Sequence, residues 1–105
     1  MTTNVPHIAA MVREAHPEIS DNQLSGVRQV LYTVLRNVSS TLDNDPVTFG
    51  EIDIEEGTRG VIYLRVEASS KLYSAYVAAR VGPRGGVSYP YASLRVGTSE
   101  GTFRK

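Results

Sequence analysis

Apolar residues recur at steps of three and four between Ser20 and Leu42, which is the spacing of one helix face. They are Leu24, Val27, Leu31, Val34, Leu35, Val38 and Leu42. Ser20 with Gln23 three residues later forms a capping box that begins a helix. Asn44 and Pro46 are typical of a helix end. The pattern predicts a long helix over residues 20–42, with Leu31 and Val34 buried beneath a sheet.

A shorter apolar stripe precedes this helix and consists of Ile8, Met11, Val12 and Ala15. Asn4 is a suitable N-cap, and Pro6 is tolerated in a first turn because its missing N–H would have no partner there. The stripe ends at His16, since a residue before proline is biased away from the helical conformation. We therefore expect a first short helix after a tail at residues 1–4.

After Pro46 the period changes to two, which is typical of strands. Val47 and Phe49 share a face with Ile52 and Ile54 only if a bulge inserts one residue at Gly50-Glu51. Residues 61–68 alternate strictly, with the even positions apolar and Tyr63, Arg65 and Glu67 at odd positions. Residues 73–81 alternate in the same way. Each of these segments predicts a strand with one buried and one solvated face.

Residues 82–86 (Gly-Pro-Arg-Gly-Gly) are the strongest turn signal in the chain. Residues 87–96 then predict a last strand that is bulged or at an edge, because Pro90 cannot donate a ladder hydrogen bond. The predicted fold is α+β, with two N-terminal helices packed on one face of a four-stranded antiparallel meander sheet. Residues 1–105 form a single domain, with tails expected at 1–4 and 98–105.

Composition adds limits to this picture. A chain of 105 residues without cysteine can bury a core but has no disulfide framework or thiolate metal site. We find no long apolar run and no signal-peptide pattern, so we expect a cytoplasmic protein without membrane contact. Compact, neutral domains without motifs are common among phage-encoded and accessory bacterial proteins.

The formal charge is zero but unevenly distributed. Residues 1–58 hold three Arg against nine Asp and Glu, a net of −6, whereas residues 59–105 hold eight Lys and Arg against two Glu, a net of +6. Such asymmetry indicates either neutralisation within the molecule or an interaction surface. Together with the two sheet edges it also motivates self-association.

Sequence spacing assembles no acid, base or nucleophile set, so we predict a protein that is not an enzyme and has no cofactor. Glu51, Asp53 and Glu55 share a strand face and could hold a divalent cation, but pairing with Tyr63 or Arg65 across the sheet is favoured. No metal site is therefore predicted. His7 and His16 are expected to be solvated histidines without a carboxylate to orient them.

Tyr and Arg residues alternate on the predicted solvated face of the sheet. With Ala68 paired to Tyr73, Arg65 falls opposite Tyr76. The predicted binding residues are Tyr63, Arg65, Tyr76 and Arg80, with Arg84 at the turn and Arg95 from the last strand. Such a surface is typical of protein interfaces, and also of sheets that stack unpaired bases and neutralise phosphates.

Two helices followed by a strand with Gly50 between Phe49 and Ile52 resemble the start of the HU/IHF nucleoid proteins, over residues 5–55. Those proteins are basic throughout, have long DNA-clasping arms and end in a helix, unlike this neutral chain. Residues 7–32 also resemble a helix-turn-helix, but acidic Glu14, Glu18 and Asp21 do not suit a phosphate-facing surface. No site residue is carried over from either resemblance.

We therefore expect a small non-enzymatic protein-binding or assembly module that uses the solvated sheet face or the sheet edges. Its partner would be another protein or a second copy of the chain. The alternative is a nucleic-acid-binding protein, for single strands or RNA, that uses the same Tyr and Arg residues. Neutral total charge favours a protein partner, because dedicated nucleic-acid binders usually carry a positive excess.

Overall fold

A computed structural model describes residues 5–40 and 45–105. Two helices precede one antiparallel sheet whose strands lie in chain order. The elements are α1 (Val5–Ala15), α2 (Asp21–Val38), β1 (Thr48–Glu56), β2 (Ile62–Ser69), β3 (Tyr73–Val81), β4 (Val87–Val96) and β5 (Ser99–Gly101). The predicted α+β fold is confirmed, with five strands in place of four.

The predicted beginning of the long helix is confirmed by a complete capping box. Ser20 Oγ accepts the backbone N–H of Gln23 at 3.1 Å, and Gln23 Oε1 accepts the N–H of Ser20 at 3.0 Å. The Gln23 amide also donates to the carbonyl of Gly60, in the turn between β1 and β2. Because one side chain serves both purposes, the start of α2 is held against the β1–β2 hairpin.

The helix ends at Val38, four residues before the predicted end at Leu42. Ser39 is extended, with φ −65° and ψ 139°, and its hydroxyl donates to the Leu35 carbonyl at 2.7 Å. Ser70 donates to the Val38 carbonyl at 2.7 Å. Serine hydroxyls thus donate to helix carbonyls that would otherwise accept backbone N–H groups of a further turn. The predicted caps at Asn4 and Asn44 lie outside the described residues.

Helix α2 lies across β2, β3 and β4, and α1 packs beside it. Leu31 and Val34 are fully buried, as predicted, against the inward apolar residues of the sheet. Gly26 permits the close approach, since a Cβ there would lie 2.4 Å from Val81 Cγ1. The side of the sheet that carries the helices is called the inner face below, and the opposite side the outer face.

The first hairpin has the predicted bulge, because the register between β1 and β2 shifts between Phe49 and Ile52. In the second hairpin the predicted pairing of Ala68 with Tyr73 is wrong, and Ala68 lies opposite Ala75. Ser70 continues the ladder: its N–H donates to the Tyr73 carbonyl at 2.8 Å, which leaves a two-residue turn. The error is two residues, so every side chain keeps its predicted face.

The structure differs from the predicted polar tail after Val96. Ser99–Gly101 form β5, which pairs with the end of β4. Beyond it the Phe103 ring packs on Tyr89, with ring centroids 5.9 Å apart. Asn37 of α2 accepts the Arg104 N–H and donates to its carbonyl, both at 2.6 Å. The last residues are thus tied to the sheet and to the helix.

Candidate functional site

The outer face is built by strict alternation along β2 and β3. In β2, Ile62, Leu64, Val66 and Ala68 are buried on the inner face, which leaves the odd-numbered residues exposed. In β3 the buried residues are Ala75, Val77, Ala79 and Val81. Because successive side chains point to opposite sides of a sheet, Tyr63, Arg65, Tyr76 and Arg80 all lie on the outer face.

The corrected register changes which of these residues are neighbours. Tyr63 lies opposite Arg80, Arg65 lies opposite Ala78, and Tyr76 lies opposite Glu67. Arg65 and Tyr76 were expected to be directly opposite each other, but they are diagonal neighbours across β2 and β3. A carboxylate now stands beside Tyr76 where an arginine was expected.

Tyr91 of β4 is a further residue of this surface, and the sequence analysis missed it. Tyr91 lies opposite Ala78, and its ring packs on Tyr76 with centroids 5.9 Å apart and planes inclined at 57°. The signal was present in the chain, because counting back by alternation from the apolar Leu94 places Tyr91, Ser93 and Arg95 on the opposite face. Pro90 obscured that alternation, and the register between β3 and β4 shifts near it.

Tyr63, Tyr76 and Tyr91, which we call the tyrosine cluster, are 45%, 36% and 55% exposed. They surround Ala78, a small, half-buried residue in the middle of the sheet. Arg65 of β2 lies opposite Ala78, and Arg80 lies two residues after Ala78 in β3. The small side chain of Ala78 therefore leaves a shallow depression in the outer face, bordered by aromatic rings and guanidinium groups.

The two remaining predicted arginines have different positions. Arg95 lies opposite Ser74 and, with Tyr76 and Ser93, lines an open hollow of about 310 Å³ on the outer face. Arg84 lies instead in the turn between β3 and β4. The adjacent Gly85 in that turn approaches Asn22 of α2 so closely that a Cβ would lie 2.5 Å from the Asn22 carbonyl oxygen. Arg84 is therefore on a turn that folds towards the helix side, outside the strands that carry the cluster.

Beside the tyrosine cluster lies the acidic row, which consists of Glu51, Asp53 and Glu55 of β1. Asp53 is opposite Arg65, and an Arg65 guanidinium nitrogen lies 3.5 Å from Glu55 Oε2. This confirms the expected cross-strand pairing for Asp53 and Glu55, whereas Glu51 lies in the bulge. An open hollow of about 270 Å³ separates the row from the cluster, lined by Glu51, Asp53, Arg65, Glu67 and Tyr76.

A second group of titratable residues lies where the turn between α1 and α2 meets the end of β1. His16 Nδ1 is 3.7 Å from Glu18 Oε1, and donor atoms of His16, Glu18 and Glu56 all lie within 4.8 Å of one another. The expectation that His16 has no carboxylate nearby is therefore wrong. Hydrogen bonding between the two carboxyl groups lowers the pKa of Glu18 and raises the pKa of Glu56. Within the described residues, this group could hold a metal ion.

Comparison with protein-family models, curated proteins and solved structures finds no match to the chain. Among the described helices, none has the length and apolar character needed to cross a membrane.

Proposed function

We propose that this domain is a non-enzymatic protein-binding or assembly module of the cytoplasm, and that it binds its partner through the outer face of the sheet. The observation that supports this proposal is the tyrosine cluster around Ala78. Three large aromatic side chains are left exposed on hydrogen-bonded strands of the sheet.

Tyrosine and arginine are the residues that protein interfaces favour. A tyrosine buries much apolar area while its hydroxyl keeps a hydrogen-bond partner, and it loses little conformational entropy because it has few rotatable bonds. The tilted packing of Tyr76 on Tyr91 limits the motion of both rings before a partner arrives. A partner residue that fits over Ala78 would be surrounded by rings that exclude water.

The charges beside the cluster favour a protein over a nucleic acid. A base stacked on Tyr76 would have Arg95 on one side, but Glu67 lies directly opposite Tyr76 and the acidic row lies across the neighbouring hollow. Part of the Arg65 charge is already balanced by Glu55 at 3.5 Å, although both side chains stay exposed and such a pair is weak. The total formal charge of the chain is zero, whereas nucleic-acid binders rely on a positive surface.

A fluorescence-anisotropy titration with mixed-sequence single-stranded DNA and RNA, at about 50 mM salt, tests the choice of ligand. We expect no binding at micromolar protein concentration. The proposal would be overturned by micromolar binding that is lost in a folded Tyr76→Ala/Arg80→Ala variant, because the nucleic-acid alternative would then hold. In that case each lost tyrosine should cost about 1–3 kcal/mol of stacking.

The partner in an assembly would be a second copy of the chain, and the opposite charges of its two halves support such contacts. Light scattering coupled to size-exclusion chromatography measures this directly. Charge-driven association should weaken as salt rises to about 0.5 M, where the screening length is only a few ångströms. A monomer at every salt and protein concentration would remove self-association and leave a different protein as the partner.

A further inference from the structure

Strand β1 is an edge of the sheet along its whole length. It pairs with β2 on one side, and among the described residues no strand pairs with its other side. An edge strand presents unpaired N–H and C=O groups that can pair with an added strand. The opposite edge is divided between β5, which pairs only with Leu94, Arg95 and Val96, and the remaining residues of β4.

The hydrogen-bond pattern identifies the groups that face this open edge. The Gly57 N–H donates to the Val61 carbonyl at 2.8 Å, which fixes the alternation of the β1–β2 ladder. By that alternation Asp53 and Glu55 exchange backbone hydrogen bonds with β2. The backbone N–H and C=O groups of Ile52, Ile54 and Glu56 point to the open edge instead. The bulge between Phe49 and Ile52 interrupts the ladder upstream. The regular part of the edge is therefore residues 52–56.

The side chains of β1 make this edge apolar on the inner face of the sheet and acidic on the outer face. Ile52 and Ile54 lie on the inner face, where they pack against the core but remain half-buried. Glu51, Asp53 and Glu55 are exposed on the outer face. An added strand would place alternate side chains beside Ile52 and Ile54 and the others beside the acidic row.

The same charges exclude one occupant. If β1 of a second copy paired antiparallel with this edge, the outer faces would lie on the same side and the carboxylates of the two acidic rows would come into cross-strand contact, which is destabilising. Opposite charges in those positions are favourable. The chemistry of the edge therefore fits a strand that is apolar on one side and basic on the other.

We propose that the β1 edge binds an extended segment of a partner protein in which apolar residues alternate with Lys or Arg. This inference rests on the proposed function, that the domain binds protein. It adds the β1 edge as a second binding surface and names the kind of segment that binds there. The added strand forms main-chain hydrogen bonds with Ile52, Ile54 and Glu56. Its apolar side chains cover Ile52 and Ile54, and its basic side chains pair with Asp53 and Glu55.

An NMR titration of the labelled protein tests the proposal, with the acetylated and amidated peptide Lys-Val-Arg-Val-Lys-Val-Arg as the probe. We expect the backbone amides of Ile52, Ile54 and Glu56 to shift and to exchange more slowly with solvent. A peptide with Glu at every Lys and Arg position should not bind. Methylation of the valine nitrogens should also abolish binding, because those nitrogens would donate to the β1 carbonyls.

The matching protein variant is Asp53→Asn/Glu55→Gln, which removes two exposed charges and keeps the shape of the side chains. It should bind the basic peptide about 2- to 30-fold more weakly, as expected from two cross-strand charge pairs. Glu100→Gln, on β5 at the opposite edge, should bind it as the unmodified protein does.

The proposal is overturned if the peptide does not bind at millimolar concentration, if the acidic peptide binds equally well, or if the shifted amides lie away from residues 52–56. Tyr76→Ala and Tyr91→Ala should leave peptide binding unchanged. If photo-crosslinking of a protein to the outer face is lost in Tyr76→Ala while peptide binding stays intact, the tyrosine cluster acts separately from the edge. Failure of the edge and failure of the proposed outer-face function are therefore distinguishable.

Discussion

The inner and outer faces of the sheet are formed by the same alternating strands, yet their side chains have opposite relations to the rest of the chain. On the inner face Leu64, Val66 and Val77 are completely buried under α2. On the outer face, one residue along, Tyr63 and Tyr76 are exposed, and the described residues place no helix over them. The inner face is accounted for by folding alone, whereas the outer face has more aromatic surface than folding requires.

The largest expected effect is on the inner face. Leu31→Ala removes a fully buried side chain and leaves a cavity between helix and sheet, so it should cost about 2–5 kcal/mol of unfolding free energy. Urea denaturation followed by circular dichroism measures the loss. Tyr91→Ala is the matched outer-face substitution and should cost only about 0.5–1.5 kcal/mol, since it removes one aromatic contact with Tyr76. Equal losses in the two variants would contradict the division between the faces.

An intermediate effect is expected where the C-terminal segment meets α2. Asn37 is buried, and its side chain bonds both backbone groups of Arg104 and the Thr33 carbonyl. Asn37→Ala leaves backbone groups without these partners, so it should cost about 1–3 kcal/mol. Hydrogen exchange should accelerate at the Arg104 amide. Unchanged exchange there would mean that β5 and Phe103 hold the segment without Asn37.

The fold was largely predictable because its determinants are local. The capping box at Ser20, the alternation in β2 and the bulge at Gly50-Glu51 each depend on residues a few positions apart in the chain. The end of α2 was not predictable from periodicity, since Val38 is capped by Ser70 from a distant turn. The order of residues 99–104 was likewise missed because it depends on Asn37, 67 positions before Arg104.

The candidate surface was predictable in its composition but not in its contacts. A register error of two residues preserves the face of each side chain, which is why Tyr63, Arg65, Tyr76 and Arg80 were grouped on one face. The neighbours depend on the turn itself, where Ser70 pairs with Tyr73. Glu67 therefore lies beside Tyr76, and this acidic neighbour is the feature that separates the two candidate ligands.

A smaller effect, visible as a dependence on pH, is expected where the inner-face helices meet the end of β1. The contact with Glu18 raises the pKa of Glu56, so the protonated carboxyl of Glu56 stabilises the fold below its unfolded pKa. That contribution is lost as pH rises through the raised pKa. The pKa of Glu18 is lowered, and its contribution is lost as pH falls through that value.

Glu56→Gln keeps a hydrogen-bond donor but cannot ionise. Its unfolding free energy should therefore rise relative to that of the unmodified protein as pH increases from the ordinary pKa of glutamate, about 4.3, through the raised pKa of Glu56. Urea denaturation at several pH values measures the difference, with Glu14→Gln on α1 as the control. A difference independent of pH would show that the two carboxyl groups do not share a proton in solution.

Protein binding by the tyrosine cluster of the outer face can be measured by photo-crosslinking. A photoreactive phenylalanine analogue placed at Tyr91, and in a second variant at Tyr32, tests it most directly, because Tyr32 is an equally large tyrosine, 43% exposed on α2. After irradiation in the native host, we expect covalent adducts with one protein, or with a second copy of the chain, from position 91 and not from position 32. Tyr76→Ala should reduce their yield. Equal yields from the two positions, or adducts with nucleic acid alone, would show that the outer face does not bind a protein.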